Sequence, residues 1–151
     1  MSDLRELYQE LIFDHYRQPR NCGVLAHANH TAQGYNPLCG DRITLYLLIE
    51  DGVVKDARFE GAGCAIATAS ASLMTEALKG RSLAEAEALF GRFHEMVTAP
   101  PGAPLPRDPA LGKLMTLSGV REFPARVKCA TLAWHTLHAA LHDERGTIST
   151  E

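Results

Sequence analysis

The chain has 151 residues, of which 46% are hydrophobic, and this size and composition suit one globular domain with its own core. Its formal net charge of -3 gives no electrostatic reason to expect nucleic acid or an anionic membrane as a partner. The first residues alternate charged with apolar side chains, and the most apolar stretch, 62–74, is too short to cross a bilayer. We therefore expect a cytoplasmic protein without a membrane span.

Hydrophobic periodicity and turn residues predict helices and a small antiparallel sheet. Apolar residues at helical spacing end at Gln18-Pro19, and β-branched and aromatic residues on both sides of Asp51-Gly52 indicate a tight hairpin. The predicted elements are a helix at 3–17 packed against the sheet, an edge strand at 31–36, strands at 42–49 and 53–59, and helices at 65–79, 82–97, 110–117 and 124–141. We predict an α+β fold, in which helices cover one side of an antiparallel sheet of about three strands.

The second half of the chain contains signals for helix ends and for a loop. Ser82-Leu83-Ala84-Glu85 has the pattern of a capping box, and Gly119 is expected to end the short helix before Pro124 opens the last one. Segment 99–109 contains five prolines and no charge run, which indicates a stiff surface loop inside one domain. We expect residues 1–142 to form that domain and residues 143–151 to form a polar, frayed C-terminal tail.

Three of the four cysteines have neighbours that suit a ligand loop. The predicted hairpin brings Cys39 and Cys64 to the same end of the sheet, and Cys64 begins a helix, where amide groups favour a thiolate. With Cys129 and Asp41 they would fill the four positions of a tetrahedral zinc site. Because no Cys-x-x-Cys pair is present, spacing alone leaves open three unrelated buried thiols. Cys22 has no second ligand type nearby and is interpreted as an ordinary turn thiol or a semi-buried thiol.

Four separated motifs, in order along the chain, narrow these alternatives. They are Pro19-Arg20-Asn21, Asn36-Pro37-Leu38-Cys39-Gly40-Asp41, Gly61-Ala62-Gly63-Cys64-Ala65-Ile66 with Ala69-Ser70-Ala71-Ser72, and Lys128-Cys129-Ala130-Thr131-Leu132. Together they resemble the iron–sulfur cluster assembly scaffold family related to the NifU N-terminal domain, over roughly residues 4–142. Lys128 stands where Isc-type scaffolds of that family carry a histidine ligand, and the segment between Cys64 and Cys129 is longer than in those scaffolds. Both features are similar to the SufU-type branch.

The resemblance implies a zinc site made by Cys39, Asp41, Cys64 and Cys129. It also implies that the chain receives sulfur from a cysteine desulfurase of the SufS type and passes it to downstream iron–sulfur assembly proteins. Cys39 is the expected acceptor, because its proline and glycine neighbours indicate an exposed loop, whereas Cys64 is anchored at a helix start. The resemblance further suggests that a ligand from the partner replaces Cys39 on zinc during transfer.

Two alternatives use the same residues for another purpose. In the first, the chain is a scaffold that binds iron or assembles a [2Fe–2S] cluster on them, since iron–sulfur clusters also take thiolate ligands. In the second, it is a small protein whose zinc is purely structural.

The last predicted helix carries two further groups of polar side chains. Arg126 and Lys128 flank Cys129, and they either stabilise thiolate charge, contact an acidic partner or form an ordinary solvated face. Three histidines recur three and then four residues apart, at His135, His138 and His142. We interpret them as a solvated face rather than a second metal site, because no carboxylate or cysteine joins them at matching spacing.

Overall fold

The structure, a computed structural model that describes residues 2–142 and 147–149, contains the helices and strands of an α+β protein. In chain order these are α1 (Ser2–Arg17), β1 (His30–Asn36), β2 (Asp41–Glu50), β3 (Val53–Ala62), α2 (Ala65–Leu78), α3 (Leu83–Thr98), a 3₁₀ helix (Gly112–Glu122), α4 (Pro124–Leu141) and β4 (Thr147–Ser149). The predicted fold class is confirmed. In the part of the chain that the structure describes, no helix is long and apolar enough to span a membrane.

The sheet is built around the predicted hairpin. Asp51 and Gly52, between β2 and β3, have φ angles of 54° and 72°, which a tight turn of type I′ requires. β1 pairs antiparallel with β2, so that Asn36 lies opposite Asp41. The three-strand antiparallel sheet is therefore confirmed, and β4 adds a short parallel strand beside β1.

β4 falls inside the predicted tail, so three of those residues belong to the sheet instead of fraying. The remainder of 143–151 lies outside the described residues. The division into a domain at 1–142 and a tail stays a prediction.

α2 and α4 cover one face of the sheet and make the core with it. Along β2 every second side chain is buried, with Ile43, Leu45 and Leu47 facing these helices. Trp134 of α4 stacks on Phe93 of α3 with ring centroids 4.5 Å apart. Burial of a large apolar side chain contributes about 1.5–3 kcal/mol, so this layer holds α4, and Cys129 with it, against the sheet.

α1 packs mainly against α2 and the 3₁₀ helix, so the prediction that it packs against the sheet is wrong. The reason is that α2 and α4 already cover the inner face of the sheet. The α1–α2 contact includes a buried polar pair, in which His15 Nδ1 lies 2.7 Å from Ser72 Oγ. The outer side of α1 leaves Leu7, Phe13 and Tyr16 exposed.

The second half of the chain forms the elements that its local sequence predicts, except at Gly119. Ser82 forms the predicted capping box, and the predicted proline-rich loop joins α3 to the 3₁₀ helix. That helix runs through Gly119, so the predicted break is wrong. Its buried side chains explain why, since Leu114, Leu117 and Val120 recur every three residues, the period of a 3₁₀ helix.

Candidate metal centre

One end of the sheet brings together the four residues that the sequence singles out as ligands. Cys39 lies in the turn between β1 and β2, and Asp41 is the first residue of β2. Cys64 is the N-cap residue of α2, and Cys129 lies in the second turn of α4. Cys39 is exposed and Cys64 half-buried, whereas Asp41 and Cys129 are only 1% and 0% exposed.

The tightest part of this site is formed by Cys39, Asp41 and Cys129. One ligand atom from each lies within 4.8 Å of the others. Cys129 Sγ is 3.4 Å from Cys39 Sγ, well beyond the S–S bond of about 2.05 Å in a disulfide. Two thiolates on one tetrahedral zinc ion lie about 3.8 Å apart, because each Zn–S bond is about 2.3 Å. The spacing therefore suits two ligands of one ion.

Cys64 joins this cluster through Asp41. Its backbone N–H donates to Asp41 Oδ1 at 2.8 Å, and its Sγ lies 3.9 Å from Asp41 Oδ2. The same sulfur accepts a 3.4 Å hydrogen bond from the N–H of Ala67, which caps α2. The structure thus places Cys64 at the edge of the cluster, and its use as a fourth ligand stays a prediction.

Two glycines allow this close approach of β3 to β2. A Cβ atom on Gly63 would lie 2.9 Å from Asp41 Oδ1. Gly61 has a φ of 156°, and a Cβ there would lie 2.1 Å from the carbonyl oxygen of Arg42. Any larger residue at either position would push Cys64 away from Asp41.

Asn36 is a buried residue of the site to which the sequence analysis assigns no role. Its Nδ2 donates to Asp41 Oδ2 at 3.1 Å and lies 3.6 Å from Cys129 Sγ. Its Oδ1 is also buried and has no hydrogen-bond partner among the described residues. The position of Asn36 in the sequence could have indicated this role, because the turn that carries Cys39 joins Asn36 to its strand partner Asp41.

The electrostatics follow from burial and from the nearby cations. Burial raises the pKa of the Cys129 thiol, and hydrogen bonds with Cys39 and Cys64 raise it further. The pKa of Arg126 is raised by its hydrogen bond with Cys129 and by the charges of the three thiol groups. Lys128 lines a shallow surface depression beside the turn that carries Cys39. Burial therefore favours the protonated form of the Cys129 thiol even with Arg126 beside it.

The donor set fits a metal ion of zinc type. It combines soft thiol ligands with one carboxylate, and both kinds of group are zinc ligands in proteins. Asn36 Oδ1 adds a buried polar atom that no described residue hydrogen-bonds. Cys22 is exposed, and its backbone bridges to Phe59 on β3. Among the described residues, the clusters of potential metal ligands do not include it.

Comparison with known proteins identifies the family. The model of the family "NifU-like N terminal domain" matches residues 7–149. The zinc-dependent sulfurtransferase SufU of Bacillus subtilis is 42% identical over 145 residues, which are 96% of each chain. The iron–sulfur cluster assembly scaffold protein IscU of Streptococcus pyogenes serotype M1 is 41% identical, over 93% of this chain and 86% of that protein.

A solved structure gives the same result for the fold. The putative iron–sulfur cluster assembly scaffold protein for the SUF system from Fervidobacterium islandicum AW-1 superposes with a TM-score of 0.80. The two chains are 34% identical, and the match covers 87% of this chain and 94% of that one. Since the family match spans nearly the whole sequence and the fold is shared, the chain belongs to the family of the NifU-like N-terminal domain.

Proposed function

We propose that this chain is a zinc-dependent sulfur-transfer protein, which accepts persulfide sulfur from a cysteine desulfurase for iron–sulfur cluster assembly. The observation that carries the proposal is the contrast in exposure within one donor set, where Cys39 is exposed and Asp41 and Cys129 are buried. The sulfur of a partner can therefore reach Cys39 without disturbing Asp41 or Cys129. The similarity to the zinc-dependent sulfurtransferase SufU supports this assignment.

Cys39, Asp41, Cys64 and Cys129 would hold the zinc ion, which when bound supplies the positive charge that keeps thiol groups ionised. Asn36 would fix the orientation of the Asp41 carboxylate through the 3.1 Å hydrogen bond from Nδ2. Arg126 adds a second positive charge beside the thiols.

In the transfer step, the Cys39 thiolate attacks the terminal sulfur of a cysteine persulfide on the desulfurase. An S–S bond forms on Cys39 while the S–S bond of the donor breaks, and the bonding pair leaves on the donor's cysteine as a thiolate. One sulfur atom moves and the exchange needs no external oxidant or reductant. Leu38, which is 61% exposed beside Cys39, offers the partner an apolar contact.

The partner is proposed to be a SufS-type cysteine desulfurase, and the recipients are downstream iron–sulfur assembly proteins. The reaction needs reduced thiols, which fits the cytoplasmic location expected from the sequence. A second candidate function is a scaffold that assembles a [2Fe–2S] cluster on the same residues, and the similarity to IscU favours it. A purely structural zinc is the third alternative.

The test compares two exposed cysteines. Cys39→Ser and Cys22→Ser are purified anaerobically, treated with a persulfide-loaded desulfurase and analysed by mass spectrometry for the gain of one sulfur atom. We expect Cys22→Ser to accept sulfur like the unchanged chain and Cys39→Ser to accept none while remaining folded. Normal acceptance by Cys39→Ser would refute the role of Cys39.

Metal analysis of the same preparations separates the alternatives. About one zinc per chain without a visible chromophore supports sulfur transfer, whereas iron, sulfide and visible absorption support the scaffold. A folded, zinc-loaded chain that accepts no sulfur supports a structural zinc.

A further inference from the structure

A second group of ligating side chains lies between α3 and α4, away from the thiols. It contains Glu87 of α3, His138 in the last turn of α4 and His142 at the C-cap of α4. One ligand atom from each lies within 4.8 Å of the others. Glu87 Oε1 is 2.8 Å from His142 Nε2, and Glu87 Oε2 is 3.5 Å from His138 Nδ1. Glu87 supplies the carboxylate that the sequence spacing did not reveal, so the second metal site set aside in the sequence analysis gains a candidate third ligand, while His135 contributes no atom to this cluster.

The cluster is separate from the candidate metal centre. Cys129 lies nine residues before His138 on the same helix, and at a rise of about 1.5 Å per residue the two positions are about 14 Å apart along α4. No ligand atom can therefore be shared between the two places.

Hydrogen bonding does not satisfy the atoms of this cluster. Glu87 Oε1 and His138 Nδ1 are both buried, and neither has a hydrogen-bond partner among the described residues, although His142 Nε2 approaches Glu87 Oε1 to 2.8 Å. That contact is an ion pair when His142 is protonated. One ring nitrogen of His138 and one of His142 face the Glu87 carboxylate, and this arrangement would let a cation bind to two nitrogens and a carboxylate oxygen.

The surroundings hold the histidine rings in place and favour positive charge. The ring of Phe90 stacks on that of His138, with centroids 5.5 Å apart and an interplanar angle of 28°. The backbone N–H of His142 donates to the carbonyl of His138 at 3.1 Å, which fixes the end of α4. The C-terminal end of a helix carries a partial negative charge, so a cation bound there is stabilised.

We propose that Glu87, His138 and His142 form a second metal site that binds a divalent transition-metal ion, with Zn²⁺ as the best-fitting probe. Two imidazoles and one carboxylate are a zinc ligand set that leaves a fourth position open for water. His138 binds through Nδ1, His142 through Nε2 and Glu87 through a carboxylate oxygen. The bound ion joins α3 to the end of α4.

The test uses the chain with one equivalent of zinc already in its thiol site and adds a second equivalent of Zn²⁺. Binding is followed by calorimetry and by ¹⁵N chemical shifts of the histidine side chains. We expect saturable binding of one further ion, with shifts of His138 Nδ1 and His142 Nε2. Glu87→Gln and His142→Ala should weaken this binding at least about tenfold, because each removes a ligand.

His94→Gln is the matched control, since His94 lies on α3 near the cluster but contributes no atom to it. It should bind the second ion like the unchanged chain. His142 is exposed at the end of α4, so its loss should leave the fold intact, which circular dichroism checks. Absence of a second equivalent, or equal affinity in Glu87→Gln and the unchanged chain, would overturn the proposal. Neither result depends on sulfur acceptance by Cys39.

Discussion

Replacing Asn36 by alanine should weaken zinc binding without unfolding the chain. Asn36 Nδ2 is the side-chain donor to Asp41 Oδ2 at 3.1 Å, and it also faces Cys129 Sγ at 3.6 Å. Both acceptors belong to the proposed ligand set. Without Asn36 the carboxylate of Asp41 keeps its contact with the N–H of Cys64 but loses the bond that fixes its other oxygen.

The change in the free energy of unfolding caused by Asn36→Ala follows from two opposing contributions. A hydrogen bond to a charged group contributes about 1.5–3 kcal/mol to stability, and Asn36→Ala removes one. The same substitution removes Asn36 Oδ1, a buried atom without a hydrogen-bond partner in the part of the chain that the structure describes, and its burial costs about 1–3 kcal/mol. The free energy of unfolding of the zinc-free chain should therefore change by less than about 2 kcal/mol. Loss of a group that orients a metal ligand typically lowers metal affinity about 10- to 100-fold, and we expect that loss here.

Asn29→Ala is the matched control. Asn29 also makes two side-chain hydrogen bonds, to the carbonyl oxygen and the N–H of Ile49, but it lies just before β1, at the opposite end of that strand from Asn36. Its loss should lower the free energy of unfolding by about 1–3 kcal/mol and leave zinc affinity unchanged. Urea denaturation of the zinc-free variants and competition with a chromophoric zinc chelator measure the two quantities. If Asn36→Ala binds zinc as tightly as Asn29→Ala, the reasoning about Asp41 is refuted.

Two further predictions concern charge. Burial lowers the pKa of His15, with a further contribution from Arg20, so the folded chain binds fewer protons than the unfolded chain. The folded chain should therefore lose stability as the pH falls below about 6.5, by up to about 1.4 kcal/mol per pH unit. The urea midpoints at pH 7.5 and pH 5.5 should differ less in His15→Gln than in the unchanged chain, and an equal difference would contradict this role of His15. Arg126→Gln removes a positive charge beside the thiols and should slow sulfur acceptance by about tenfold at unchanged zinc content. Lys128→Gln is the control, and equal rates of sulfur acceptance in the two variants would argue against a role for Arg126.

The sequence predicted best the features that depend on a few neighbouring residues. The turn at Asp51-Gly52, the capping box at Ser82 and the start of α4 at Pro124 are each specified by local backbone chemistry. The hairpin turn also fixes the register of β2 and β3, and that register is what places Cys39 and Cys64 at one end of the sheet. Much of the candidate metal centre could therefore be located before its distances were known.

Features that depend on packing between distant segments could not be predicted in this way. The contact of Glu87 with His138 and His142 exists because α3 packs beside α4. The role of Asn36 depends on Cys129 arriving from α4. Periodicity within one segment carries no information about either contact.

The anchoring of each thiol gives a physical reason why Cys39, rather than Cys64, can leave the proposed zinc site. Cys64 caps α2 through Ala67 and donates its N–H to Asp41, so moving it would remove a helix cap, which typically costs about 0.5–2 kcal/mol, and would free the carboxylate as well. Cys129 is buried within α4. Cys39 lies in an exposed turn, and its sulfur contacts Cys129. Displacing Cys39 therefore disturbs one sulfur–sulfur contact, while the helices that hold the other donors stay where they are.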